Sequence, residues 1–110
     1  INKVELNNFV SSLKKNISEN KFKNDCHLLK QIEFIQNEDG VINKNIEILR
    51  FENLDEDFYN LLKKNNNKLF KLEKTNVSSS NLSINDLSEE SKKNIKEIYK
   101  EDFEYFNYKF

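Results

Sequence analysis

The 110-residue sequence contains no Pro, Met or Trp, and it has only one Gly and one Cys. A single Cys cannot form an internal disulfide or supply the paired thiolates of a usual zinc site, so we predict no disulfide and no metal. The single Gly, Gly40, excludes a Gly-rich loop of the kind that cradles nucleotide phosphates. No apolar run approaches the roughly 20 residues that cross a bilayer, so we expect a soluble chain without a membrane segment.

An excess of charge of one sign is also lacking. Lys and Arg number 18 and Asp and Glu number 19, which gives a formal net charge of −1. Nucleic acids and anionic membrane surfaces attract proteins with a clear excess of Lys and Arg, so we predict no nucleic-acid partner. Nine Phe and four Tyr nevertheless provide large apolar side chains. They favour a folded domain over a disordered chain.

Helical periodicity is clear at both ends of the chain. Near the start, five apolar residues lie on one stripe of a helix that we place from Val4 to Asn16: Leu6, Phe9, Val10, Leu13 and Ile17. Near the end, Ser88 is a good N-cap, and a second apolar stripe follows it: Ile95, Ile98, Tyr99, Phe103 and Phe106. We therefore predict an amphipathic helix at each end.

The middle of the chain contains turn and strand signals. Asn37–Gly40 predicts a tight turn, because Asp-Gly permits positive φ. The β-branched, mostly apolar run from Ile46 to Phe51 predicts a buried strand, and the helix expected directly after it would complete a βα unit. Residues 26–35 fit either a helix or a strand. From Asn65 to Asp86 the chain is polar without a strong pattern, which is typical of a functional or flexible loop.

Few residues of the sequence are candidates for a catalytic or ligand-binding role. His27 is the only His, and therefore the only standard candidate for a general base near neutral pH, although a lone His is more often structural or simply exposed. Asp102 lies beside the second apolar stripe, and we favour a buried, hydrogen-bonded structural role over a catalytic one. The hydroxyl-rich run from Thr75 to Ser80 could hold phosphate or sulfate oxygens, although a solvated loop is the simpler interpretation.

Four short motifs occur in order along the chain. They are His27-Leu28-Leu29-Lys30-Gln31, Arg50-Phe51-Glu52-Asn53-Leu54-Asp55-Glu56-Asp57-Phe58, Asn76-Val77-Ser78-Ser79, and the set Tyr99, Asp102, Phe103, Phe106 and Tyr108. Together they resemble the C-terminal part of the family-2 sulfotransferase domain, the carbohydrate sulfotransferase-like family. Its first motif has the form His-Trp-x-Pro-Gln, so the His and the Gln match here, whereas the Trp and the Pro do not.

The resemblance implies a fold and an activity. The fold would be the C-terminal portion of an α/β, P-loop nucleotide-kinase-like sulfotransferase, helix-rich with few strands. Residues 1–110 would be a single region of that domain, with the upstream cofactor-binding half absent and this chain alone inactive. The whole domain would transfer a sulfuryl group from 3′-phosphoadenylyl sulfate to a hydroxyl or amine of a carbohydrate or another small acceptor.

The resemblance also assigns tentative roles to individual residues. It makes His27 a candidate catalytic residue and Gln31 a candidate substrate-binding residue. It makes Asn76, Ser78 and Ser79 candidates for binding the cofactor. Two alternatives remain open: a non-enzymatic helical interaction module that uses the two apolar stripes, and a complete chain that keeps the ancestral shape without binding the cofactor.

Overall fold

A computed structural model describes residues 1–22, 24, 26–75 and 77–110. The chain divides into two compact units. The larger unit comprises Ile1–Asn43 and Ser80–Phe110, and the smaller unit comprises Lys44–Ser79. The described residues are rich in helix, and an isolated antiparallel bridge between Gln36 and Ile42 is the β pairing found among them. The prediction of a helix-rich chain with few strands is therefore confirmed.

The first predicted helix is present and is longer than expected. Helix α1 spans Lys3–Glu19. It begins with a capping box, in which the Asn2 side chain accepts the Glu5 backbone N–H and the Glu5 carboxylate accepts the Asn2 backbone N–H. This reciprocal pair satisfies two of the donors that a helix leaves open at its start.

The C-terminal stripe forms two consecutive helices rather than one. Helix α3 spans Glu89–Ile98 and helix α4 spans Lys100–Phe106. The predicted cap is confirmed, because the Ser88 side chain accepts the Ser91 backbone N–H at 3.1 Å. Tyr99, with φ −106° and ψ 27°, separates the helices, and Asn107 ends α4 in the left-handed conformation with φ 58°. Asn tolerates this region better than most residues other than Gly, which is why the chain can turn there.

The two apolar stripes pack against each other to form the core of the larger unit. Val10 and Leu13 of α1 are buried together with Leu28. Five half-buried side chains surround them: Ile17, Leu87, Ile95, Ile98 and Tyr99. Parts of the two stripes therefore pack together, as two amphipathic helices of one domain normally do, whereas Phe9 of the first stripe is 45% exposed.

One side chain links α1 to the start of α3 by hydrogen bonds. The Oδ1 of Asn7 accepts the Ser88 backbone N–H at 2.8 Å and the Ser91 hydroxyl at 2.7 Å. Its Nδ2 donates to the backbone oxygens of Asp86 and Lys3 at 2.9 and 2.8 Å. Because Ser91 is only 2% exposed, this network gives a deeply buried hydroxyl a partner.

The predicted turn is confirmed, and the predicted strand is not. Gly40 has φ 79°, and the Asn37 backbone N–H donates to the Val41 oxygen at 2.8 Å. Residues 46–50, by contrast, have no regular secondary structure, and Phe51–Asn53 form a 3₁₀ helix. The prediction of a strand at Ile46–Phe51, and of the βα unit with it, is wrong for this chain. A strand must pair its backbone with a neighbour, and no strand of the described residues lies beside it.

In the smaller unit, helix α2 spans Leu54–Lys64, as the sequence predicts. Its N-cap residue Asn53 makes no side-chain capping bond; instead, Asp57 accepts the Arg50 backbone N–H at 3.0 Å. The rings of Phe58 and Phe70 meet edge to face with their centroids 5.3 Å apart. Residues 68–83, apart from the undescribed Asn76, have no regular structure, which agrees with the predicted polar loop.

Candidate functional site

The segment that carries the first motif is attached to helix α4 by a carboxylate. Residues Gln31–Ile35 form a 3₁₀ helix, which settles the ambiguity of that segment. The two oxygens of Asp102 accept the backbone N–H groups of Gln31 and Ile32, each at 2.8 Å. Because a helix leaves its first N–H groups unpaired, a carboxylate at that position supplies both missing acceptors. Asp102 is buried, so the expected role as a buried polar anchor is confirmed.

An ion pair reinforces the same attachment. Lys30 Nζ lies 2.7 Å from Glu101 Oε1, and the Lys30 side chain is about one-third exposed. The hydrogen bond to Glu101 raises the pKa of the Lys30 ammonium above its ordinary value, in spite of the opposing effect of partial burial. The positive charge of Lys30 is therefore paired with the Glu101 carboxylate.

A tyrosine makes the third link between this segment and the C-terminal helices. The Tyr99 hydroxyl donates to the backbone oxygen of Leu28 at 3.0 Å. Burial raises the pKa of this hydroxyl, and the neighbouring Asp102 carboxylate raises it further. Both causes favour the neutral phenol, which is the form that donates the bond. Tyr99, at the junction of α3 and α4, and Asp102, one turn later in α4, thus both hold the segment of the first motif by hydrogen bonds.

His27 and Gln31 line the same cleft of the larger unit. We call it the Phe103 cleft; its volume is about 370 Å³. Its lining is His27, Leu29, Gln31, Ile84, Ile95, Tyr99, Asp102, Phe103, Tyr108, Lys109 and Phe110. A second cavity of about 330 Å³ is lined by Cys26, His27, Gln31 and Phe34. The two residues to which the resemblance gives an active-site role therefore line one cleft of the larger unit.

The imidazole of His27 has a defined orientation. Its Nδ1 makes a hydrogen bond to the backbone oxygen of Asn24. Because a carbonyl oxygen can only accept, Nδ1 carries the proton in this bond, and in the neutral ring the lone pair is then on Nε2. A neutral imidazole held by its Nδ1–H is the form that accepts a proton at Nε2. The ring is exposed, so a molecule in solution can reach that nitrogen.

Ser78 and Ser79, two of the three residues predicted to bind the cofactor, belong to the smaller unit. Ser78 lines a cleft of about 900 Å³ there, Ser79 is not among the residues that line it, and Asn76 lies outside the described residues. The ionisable side chains of this cleft are Glu52, Asp55, Glu56, Glu73 and Lys74. Four carboxylates beside one ammonium would repel an anionic nucleotide. The lining therefore counts against cofactor phosphates at Ser78.

Sequence reasoning missed several parts of the Phe103 cleft. Ile84, Lys109 and Phe110 line it, but none of them belongs to a motif. Lys109 and Phe110 come directly after Tyr108, the last residue of the fourth motif. This proximity is the one feature of the sequence that could have identified them as lining residues. They reach the cleft because the chain turns at Asn107, which places the ring of Phe110 5.2 Å from that of Phe103.

The described residues contain no group of three or more His, Cys, Asp and Glu side chains arranged to hold a metal ion. None of the helices in the same part of the chain combines the length and apolarity that crossing a membrane requires. Comparison with protein-family models, with curated proteins and with solved structures finds no match of any of the three kinds.

Proposed function

We propose that this chain forms the acceptor-side part of a sulfotransferase, which transfers a sulfuryl group from 3′-phosphoadenylyl sulfate to a hydroxyl or amine. One observation carries the proposal: the first and the last of the four motifs, about 70 residues apart in sequence, are joined by hydrogen bonds. Asp102 accepts the Gln31 backbone N–H, and Tyr99 donates to the Leu28 oxygen. Segments that form one site are expected to meet in this way.

In this proposal His27 Nε2 takes the proton of the acceptor hydroxyl. The acceptor oxygen forms a bond to sulfur while the bond between sulfur and the nucleotide breaks, and adenosine 3′,5′-bisphosphate leaves. Gln31, on the same cleft, orients the acceptor. The chain has no Gly-rich loop, and the cleft at Ser78 is acidic, so residues outside this sequence would hold the nucleotide phosphates. Positioning and charge stabilisation would supply most of the rate, as they do in phosphoryl transfer.

Calorimetric titration with adenosine 3′,5′-bisphosphate tests this assignment. We expect no binding to the 110-residue chain and clear binding to a longer protein that carries it together with a phosphate loop. In that longer protein, His27→Ala should lower acceptor turnover about 10²-fold or more, the usual loss when a general base is removed. Tight binding by the short chain, or normal turnover of His27→Ala, would contradict the assignment.

A second candidate function is the non-enzymatic helical interaction module. It is favoured by the absence of a strand at Ile46–Phe51 in the described structure. The packing of the larger unit counts against it, because several residues of the two stripes are already packed together: Val10, Leu13 and Ile17 with Ile95, Ile98 and Tyr99. Light scattering and far-ultraviolet circular dichroism distinguish the two functions. A stable complex formed through α1 would support the module, whereas a monomer that retains its helix content would not.

A further inference from the structure

We propose that the Phe103 cleft binds a small neutral aryl alcohol, that is, one or two fused aromatic rings bearing a single hydroxyl. Its use as an acceptor site rests on the proposed function, whereas binding itself rests on the described geometry alone. The apolar side chains of the wall are Leu29, Ile84, Ile95, Phe103 and Phe110. A volume of about 370 Å³ is at the lower end of the range for sites that enclose small ligands.

Some polar groups of the cleft already make hydrogen bonds within the fold. Both oxygens of Asp102 accept backbone N–H groups, and the Tyr99 hydroxyl donates to the Leu28 oxygen. The other polar side chains of the lining are those of His27, Gln31, Tyr108 and Lys109. A sugar ring presents hydroxyls around its whole edge, and each loses solvation unless it finds a partner. A ligand with one hydroxyl on an apolar ring needs fewer hydrogen-bond partners than a sugar, so it fits this mostly apolar lining better.

Charge and aromatic geometry point to the same class of ligand. Lys109 is the cationic side chain of the lining, whereas a highly sulfated glycan would need a cluster of Lys and Arg. The rings of Phe103 and Phe110 are inclined at 43° to each other, with centroids 5.2 Å apart. An aromatic ring that enters the cleft can contact these rings edge to face or offset, the arrangements that aromatic pairs prefer. The expected acceptor is therefore narrowed from a carbohydrate to an aryl hydroxyl.

Saturation-transfer NMR and calorimetry on the 110-residue chain, without any nucleotide, test the proposal directly. The two probes are 2-naphthol and methyl β-D-glucopyranoside. We expect 2-naphthol to bind at least about tenfold more tightly, because burying its rings adds hydrophobic free energy that the glucoside lacks. Equal binding of the two probes, or tighter binding of the glucoside, would overturn the proposal.

Variants locate the binding. Phe110→Ala and Phe103→Leu should each weaken 2-naphthol binding about 3- to 10-fold, the usual worth of an aromatic pair. Phe110 is 44% exposed, so its truncation leaves the core intact, and Phe103→Leu keeps an apolar side chain of helix-forming type. Phe34→Ala is the matched control, because Phe34 is exposed and lines only the other cavity beside His27.

An unchanged affinity in both cleft variants, or an equal loss in Phe34→Ala, would show that the naphthol binds elsewhere and would refute the proposal. The result is independent of the sulfotransferase assignment. Naphthol binding can fail while the longer protein still binds adenosine 3′,5′-bisphosphate, and the reverse outcome is equally distinguishable.

Discussion

The carboxylate of Asp102, on helix α4, accepts the backbone N–H of Ile32 at 2.8 Å, although 70 positions of sequence separate the two residues. The same carboxylate accepts the Gln31 N–H, so a single buried side chain caps the 3₁₀ helix of the first motif. The segment that positions His27 and Gln31 is thereby fixed to the C-terminal helices. The stability of the larger unit and the shape of the Phe103 cleft should therefore depend on the same residue.

Replacing Asp102 tests this dependence. Asp102→Asn keeps the shape of the side chain but removes its charge and presents an amide NH₂ to backbone donors. We expect a loss of about 1.5–3 kcal/mol in the free energy of unfolding, as for other hydrogen bonds to charged groups. Urea unfolding followed by circular dichroism measures it. The adjacent Glu101→Gln, which breaks a partly exposed ion pair, should cost no more than about 1 kcal/mol. Similar losses in the two variants would contradict the buried-cap interpretation.

Asn7 should be equally important at the other end of the larger unit. Asn7→Ala removes the acceptor of the Ser88 N–H and of the buried Ser91 hydroxyl, so we expect a loss of about 1–3 kcal/mol. Asn8→Ala is the matched control, because Asn8 is exposed on the same helix and Ala favours helix. The difference between the urea midpoints of the two variants measures how much the hydrogen bonds of Asn7 contribute to stability. Equal midpoints would show that these bonds contribute nothing.

Packing predicts a third difference along α1. Leu13 is 5% exposed in the core, so Leu13→Ala should cost about 2–5 kcal/mol through lost burial and the cavity that remains. Val4 is 66% exposed on the same helix, and Val4→Ala should change stability by less than about 0.5 kcal/mol. Thermal or urea unfolding of the two variants checks this. A small effect of Leu13→Ala would mean that α1 is not packed as described.

The stability of the larger unit should fall at alkaline pH. The pKa of Tyr99 is raised in the folded state, so the neutral form stabilises the fold fully below the ordinary Tyr value of 10.0. Above that value the unfolded chain loses its proton more readily, and stability declines as the pH rises through the folded pKa. The raised pKa of Lys30 acts in the same direction above 10.5.

Urea midpoints measured across this pH range provide the test. Tyr99→Phe cannot ionise, so its midpoint should fall less with rising pH than that of the unaltered protein. Tyr105→Phe is the control, since Tyr105 is 45% exposed and its ring packs only against Phe106 among the aromatic contacts of the described residues. A pH dependence that is the same in all three proteins would remove Tyr99 as a cause.

Some of the Phe103 cleft could be predicted from the sequence and some could not. His27 and Gln31 were expected to share a site because both belong to one motif, and they do line one cleft. The position of Asp102 beside an apolar stripe indicated a buried anchor, but no local pattern identifies Gln31 and Ile32 as its partners. Ile84 and Lys109 reach the cleft through the packing of distant segments and the turn at Asn107, which periodicity does not encode.

The sequence by itself determined the helices and the turn at Gly40. The 3.6-residue apolar period, the Asn2 and Ser88 caps and the Asp39-Gly40 pair all act over a few neighbouring residues. Tertiary structure alone decided the rest. Residues 46–51 have the composition of a strand, yet no strand of the described residues pairs with them, since pairing depends on what lies alongside. Helix formation is local, whereas strands, caps between distant segments and clefts exist only where the chain folds back on itself.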